Sequence, residues 1–219
     1  MTELITQLIN LFASLILVLS FAMLAQRRIL TLVHLYAMQG VAVVGATTVV
    51  AYVTHQPHLY FSAALTLILK VLVIPAVLYR LIKRLDVRWD VETLINIPST
   101  MLVGIVMVVF AFNLSMPVAR LSTSVSPGTL GIAMACILLS FMMMITRTKA
   151  VPQVIGFLSM ENSLFFAATS ATHGMPMVVE LGIALDVLVG VFILGVFMFQ
   201  IREQFESLDI TNLENLKDV

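Results

Sequence analysis

Seven apolar stretches of about 20 residues each, separated by short polar breaks, dominate the sequence. A helix needs about 20 apolar residues to cross the roughly 30 Å hydrocarbon layer of a membrane. The chain is 60% hydrophobic and 11% charged, whereas soluble domains are about 25% charged. We therefore predict an all-α membrane protein with seven transmembrane helices. The stretches cover residues 5–25, 29–53, 59–82, 97–116, 128–146, 151–172 and 178–201.

The basic residues predict the orientation of these helices. Lys and Arg total 12, as do Asp and Glu, so no basic excess suggests a nucleic-acid partner. All but two of the Lys and Arg residues fall on one side of the predicted helices. The exceptions are Lys70, inside a helix, and Arg120, in a loop on the other side. The positive-inside rule then places the N-terminus outside and the C-terminus inside.

An internal repeat divides the chain. Aligning the second and third helices with the sixth and seventh places "YAMQGV" over "LSMENS" and "LILKVLV" over "IALDVLV". Gln39 then corresponds to Glu161, and Lys70 to Asp186. Equivalent helices are four apart and cross in the same direction, so we predict two parallel three-helix repeats joined by a linking helix. The predicted units are a first repeat at 1–85, an internal loop, linking helix and external loop at 86–127, a second repeat at 128–202, and a cytoplasmic tail at 203–219.

Three ionisable residues fall close to the predicted membrane midplane. At 1.5 Å per residue, Glu161 lies about 15 Å, Lys70 about 16 Å and Asp186 about 12 Å into its helix. Each unpaired charge at that depth costs about 2.5 to 3.5 kcal/mol, so these groups must be paired, neutralised or in contact with water. One interpretation is a structural ion pair between Lys70 and either Asp186 or Glu161. The other is a proton relay in which the carboxylates change protonation as neighbouring charges move.

Other polar residues are weaker candidates for a proton pathway. Gln39 could orient water or ions, although amides also link membrane helices by hydrogen bonds alone. His34, about one turn into the second helix, could pass protons inward or be an interfacial histidine. The remaining histidines lie in loops without other potential metal ligands beside them, so we predict no metal site. The single cysteine, Cys136, excludes a disulfide or a cysteine-ligated cluster within the chain itself.

Four motifs resemble one known family. "KVLVIP" at 70–75, "MEN" at 160–162, "LGIALD" at 181–186 and "LDITNLENLK" at 208–217 resemble component E of hydrogenase-4 and its relatives in formate hydrogenlyase-type complexes. The resemblance covers nearly the whole chain. It implies a subunit of a membrane-bound complex in the prokaryotic cytoplasmic membrane.

The C-terminal half also resembles the K subunit of respiratory complex I and the C subunit of multisubunit cation/proton antiporters. In that K subunit, glutamates on the middle and last helices are taken as parts of the proton route. Asp186 falls at the last-helix position. The family's middle-helix glutamate corresponds to Leu158, three residues or nearly one turn before Glu161.

The resemblance therefore implies a chain that is no enzyme by itself and contributes intramembrane charges to proton translocation coupled to electron transfer. Expected partners are antiporter-like and quinone-site-like membrane subunits, peripheral redox subunits and the lipid bilayer. No cofactor is expected in this chain, and nickel–iron and iron–sulfur centres are expected in partner subunits. Two alternatives remain open: a subunit of a cation/proton antiporter without a redox arm, and a structural spacer between working subunits.

Overall fold

A computed structural model describes residues 2–84, 93–120 and 127–172, together with Gly190. The described residues form six helices. The seventh predicted helix, Asp186 and the predicted tail lie outside the described residues. The helices are α1 (Thr2–Ala25), α2 (Ile29–Thr54), α3 (residues 57–84), α4 (Ile97–Arg120), α5 (Pro127–Thr146) and α6 (Ala150–Thr172).

Five of these helices, α1 to α5, are long and apolar enough to cross a membrane. Helix α6 has 23 residues, which is long enough at 1.5 Å per residue. It is less apolar because Gln153, Glu161 and Asn162 interrupt it. The prediction of an all-α membrane protein is confirmed. The number of seven transmembrane helices and their orientation stay predictions.

The helix ends follow local chemistry. Helix α2 stops at His55, whose backbone is left-handed with φ 53°, a common way to terminate a helix. Pro57 then starts α3, where its missing N–H costs nothing. Helix α4 runs through Pro117 to Arg120, whereas we predicted its end at residue 116 and Arg120 in a loop. A proline in the last turn removes only one hydrogen bond of the ladder, so the helix continues.

Helices α1, α2, α5 and α6 form the centre of the bundle, with α3 packed on α2 and α4 packed on α5 and α1. Glycines bring these helices close together, as is common in membrane bundles. A Cβ atom on Gly45 of α2 would lie 2.5 Å from the Phe12 ring of α1. A Cβ on Gly156 of α6 would lie 2.9 Å from Met144 of α5. The same close packing brings polar side chains from different helices into contact.

Arg147 fixes the end of the bundle where α1 and α5 finish and α6 begins. Its side chain is 1% exposed, and its Nη2 atom donates to the carbonyl oxygens of Met23, Leu24 and Gln26 at 3.3, 2.8 and 2.9 Å. These carbonyls belong to the last turn of α1 and the residues after it, where helices leave acceptors unpaired and favour positive charge. Burial lowers the pKa of Arg147 to about 10, so the guanidinium stays charged at neutral pH.

The segment that leads into α4 joins the same end. Leu94 N–H donates to the Thr146 carbonyl at 2.9 Å, and Thr93 forms an isolated antiparallel bridge with Arg147. Gln153 of α6 donates from Nε2 to the Arg147 carbonyl at 2.7 Å. Arg147 therefore ties α1, α4, α5 and α6 together at one end.

Candidate functional site

Lys70 and Glu161 form an ion pair inside the bundle. The Lys70 Nζ atom lies 2.6 Å from Oε1 and 2.5 Å from Oε2 of Glu161. Lys70 is 0% exposed and Glu161 is 3% exposed. The pair therefore joins α3 to α6 in a region that excludes solvent. Removing one partner of such a buried pair typically costs about 3 to 5 kcal/mol, because the other charge is left uncompensated.

The backbone of α3 widens around Lys70. Residues Leu67–Val73 form a π-helix, with regular α-helix on either side. Ile74 N–H accordingly donates to the Leu69 carbonyl, five residues back. Pro75 follows directly, and in a regular α-helix its ring would clash with the carbonyl of residue 71. Short π-helical segments occur frequently at functional sites, and here the widened turn carries the buried lysine.

Gly40 allows α2 to approach this turn. A Cβ atom at Gly40 would lie 3.2 Å from Cγ2 of Val71 and 3.5 Å from Cβ of Lys70. A contact of 3.2 Å is tighter than ordinary van der Waals packing between carbon atoms. The absence of a side chain at Gly40 thus lets the lysine backbone sit directly against α2.

Phe165 covers the ammonium group on the side of α6. The Lys70 Nζ atom lies 5.3 Å from the centre of the Phe165 ring, within the roughly 6 Å range of a cation–π interaction. Phe165 follows Glu161 by four residues, so both side chains lie on the same face of α6. One face of α6 therefore offers Lys70 both a carboxylate and an aromatic ring.

A second group of buried polar side chains begins beside this pair. We call it the amide–serine cluster and define it as Gln39 and Asn162 with three serines. Gln39 Nε2 donates to the hydroxyl oxygens of Ser20 and Ser159, both at 3.0 Å. Ser159 lies 2.9 Å from the Ser140 hydroxyl, and Asn162 Nδ2 donates to Gln39 Oε1 at 3.2 Å. The cluster links α1, α2, α5 and α6.

The cluster and the ion pair share two helices. Gln39 precedes Gly40 on α2, and Asn162 follows Glu161 on α6. The Asn162 Oδ1 atom is buried and has no hydrogen-bond partner among the described residues. Hydrogen bonds of the cluster therefore restrain the same two helix segments that surround Lys70.

Comparison with known proteins shows the family of this chain. The chain is 32% identical over 204 residues to the "Uncharacterized protein Rv0085" of Mycobacterium tuberculosis, covering 92% of this chain and 93% of that protein. The chain belongs to the Rv0085 family. The aligned region covers nearly the full length of both chains.

More distant relatives of this Rv0085-family chain are hydrogenase-4 subunits. It is 23% identical over 184 residues to hydrogenase-4 component E of Escherichia coli K12, covering 83% of this chain and 84% of that protein. The same values hold for hydrogenase-4 component E of Shigella flexneri. The hydrogenase-4 part of the sequence resemblance is thus supported as distant homology, and the similarity to the complex I K subunit stays a prediction. No protein-family model and no solved structure matches the chain.

The structure brings together three of the predicted site residues of this Rv0085-family chain. Lys70 pairs with Glu161, one of the two partners that the sequence left open, and Gln39 lies in the adjoining cluster. His34 lies elsewhere: it is exposed on α2, and its Nδ1 atom is 2.7 Å from the Leu30 carbonyl oxygen. Asp186 lies outside the described residues.

Several residues of the site were not predicted from the sequence. Ser20, Ser140, Ser159, Gly40 and Phe165 carry no motif of their own. Phe165 could have been found from its four-residue spacing to Glu161, which places both on one helix face. The serines gave no such signal, because serines in membrane helices often bond to their own backbone. Ser20 does so as well, donating to the Ile16 carbonyl at 2.9 Å.

Proposed function

We propose that this chain is a non-catalytic membrane subunit of a complex-I-like, energy-converting assembly of the [NiFe]-hydrogenase type. Its buried charges take part in proton translocation coupled to electron transfer in other subunits. The observation that carries this proposal is the Lys70–Glu161 ion pair, which lies in the interior of an apolar helix bundle. Distant homology to hydrogenase-4 component E supports the type of assembly.

The ion pair suits proton transfer because its two states differ in charge. With Glu161 ionised, the carboxylate holds the Lys70 ammonium through both oxygens. When a proton binds to Glu161, that attraction is lost and the site carries a net positive charge. A charge that moves in an adjacent subunit would then favour one state over the other, since charges interact strongly in a medium of low dielectric constant. Proton binding and release at Glu161 would follow that external charge.

The proposal extends to residues and partners beyond the ion pair. Asp186 would supply a second carboxylate from the seventh helix, as in the complex I K subunit that the sequence resembles. The chain would cross the prokaryotic cytoplasmic membrane seven times, with its N-terminus outside. It would sit between quinone-site-like and antiporter-like membrane subunits, while nickel–iron and iron–sulfur centres would belong to peripheral redox subunits.

A structural role is the second candidate, and one observation favours it. The amide–serine cluster joins four helices beside the ion pair, as expected of a bundle held together by polar contacts. In that case, the ion pair would contribute to stability alone. Variants of the pair would weaken assembly, and every complex that still assembled would translocate protons normally.

Purification of the chain with its partners tests the type of assembly. The chain would carry an affinity tag and be isolated from native membranes in a mild detergent. We expect hydrogenase-type and iron–sulfur subunits in the complex, nickel in the metal analysis, and hydrogen-dependent electron transfer. Antiporter-like subunits without nickel or iron would contradict the hydrogenase assignment and support the cation/proton antiporter alternative.

A further inference from the structure

We infer that Phe165 is a positioning residue for the proposed proton transfer: its ring holds the Lys70 ammonium in place while Glu161 is protonated. This inference rests on the proposed function. It adds to the ion pair an uncharged residue that was not among the site residues predicted from the sequence.

The geometry places the ring and the carboxylate on the same side of the lysine. Glu161 and Phe165 are one turn apart on α6, and Nζ of Lys70 lies 5.3 Å from the ring centre. Phe165 is 5% exposed. It belongs to an apolar cluster that also contains Val43, Ala46 and Phe166. The ring is therefore held by packing and cannot turn away from the lysine freely.

The ring matters most when the carboxylate is neutral. Protonation of Glu161 removes a full negative charge from beside the ammonium group, which stays in an apolar environment. The face of an aromatic ring carries partial negative charge and attracts a cation, and this attraction is stronger where water is excluded. Phe165 thus continues to stabilise Lys70 at its position after Glu161 has gained a proton. When the proton leaves, the ammonium is still placed to receive the carboxylate.

Phe166 provides a matched control. It is also a buried phenylalanine, 1% exposed, in the same apolar cluster. Adjacent residues of a helix point about 100° apart, so Phe166 occupies a different direction from the ring that covers Lys70. A change that acts only through packing should affect the two positions alike.

The test uses phenylalanine analogues with one, two and three ring fluorines, placed at position 165 of the complete complex by codon suppression. Fluorine withdraws electron density from the ring face while the ring keeps nearly its shape. We expect the rate of proton translocation per assembled complex to fall stepwise with each fluorine. The trifluorinated ring should slow proton translocation on the order of tenfold, which corresponds to about 1.4 kcal/mol. The same series at position 166 should change nothing.

Natural substitutions extend the series. Phe165→Trp should retain translocation, because indole is a stronger cation–π partner. Phe165→Leu should reduce translocation as much as the trifluorinated ring does. In a Lys70→Met background, the fluorinated series should have no further effect. The fluorinated rings keep the test valid even if Phe165→Leu prevents assembly.

Two outcomes would overturn the inference, and they are distinguishable. A flat fluorine series at position 165, together with loss of translocation in Glu161→Gln, would reject the role of Phe165 and leave the proposed function standing. Full translocation in Glu161→Gln would reject the proposed function, and the role of Phe165 with it.

Discussion

Lys70 and Glu161 are 91 residues apart in the sequence, yet the lysine Nζ atom lies within 2.6 Å of both carboxylate oxygens of Glu161. This contact joins the first part of the chain to its second part. It also places two charges where neither would be stable alone. The stability of the bundle and the proposed function therefore depend on the same two residues.

The ion pair should show strong coupling between its two partners. Glu161→Met and Lys70→Met should each lower the free energy of unfolding by about 3 to 5 kcal/mol, because each removes the opposite charge from beside a buried ionised group. The double variant should lose much less than the sum, because apolar side chains replace both charges. Thermal unfolding of the purified protein in detergent measures all three. Additive losses of stability would show that the two charges do not interact in the purified protein.

Gln39 should stabilise the bundle through its hydrogen bonds. Gln39→Leu removes three hydrogen bonds between helices. Bonds of this kind in membrane proteins contribute about 0.6 kcal/mol each on average, so we expect a loss of about 2 kcal/mol in chemical unfolding. Asn113→Leu is the control, because Asn113 is exposed and its hydrogen bond within the described part of the chain is to the Val109 carbonyl of its own helix at 2.8 Å. Equal losses in both variants would contradict a role of the cluster.

The two glycines of α2 allow function to be separated from stability. Gly40→Ala and Gly45→Ala both introduce a methyl group into a tight contact, so each should cost about 1 to 3 kcal/mol. Only the new methyl at residue 40 meets the turn of Lys70, whereas the one at residue 45 meets the Phe12 ring. We expect Gly40→Ala alone to reduce proton translocation per assembled complex. An equal reduction in Gly45→Ala would show that general loosening of the bundle is responsible.

Arg147 should be required for the stability of one end of the bundle. Arg147→Ala leaves the carbonyls of Met23, Leu24 and Gln26 without their charged donor. Hydrogen bonds to a charged group contribute about 1.5 to 3 kcal/mol, so the melting temperature should fall. Arg27→Ala removes a positive charge from an exposed residue of the same end and should change stability by no more than about 0.5 kcal/mol. A fall of similar size for Arg27→Ala would point to charge alone.

The sequence predicted those features that depend on local composition. Long apolar stretches and the polar breaks between them located the helices of the described residues, with the end of α4 as the clearest difference. The depth of Lys70 and Glu161 marked them as candidates, because a charge in hydrocarbon needs an explanation. Both kinds of prediction use only neighbours along the chain.

The remaining features depend on how distant segments pack. The contact of Lys70 with Glu161 could not be predicted from depth, since Asp186 was also predicted close to the midplane. The π-helix around Lys70 had one local sign, Pro75, which predicts a break but not its form. Ser159 meets Gln39 across 120 residues, and no periodicity encodes such a contact. The burial of Arg147 was equally hidden, because basic residues at a helix end usually remain in water.

The most direct test is the number of protons translocated per electron pair by the purified complex in sealed vesicles, with Glu161→Gln compared with the native chain. Complex assembly and electron transfer without a membrane gradient serve as controls. If Glu161 binds and releases protons, Glu161→Gln should assemble and transfer electrons but translocate fewer protons. An assembled Glu161→Gln complex that translocates the native number of protons would contradict a role of the ion pair in proton translocation.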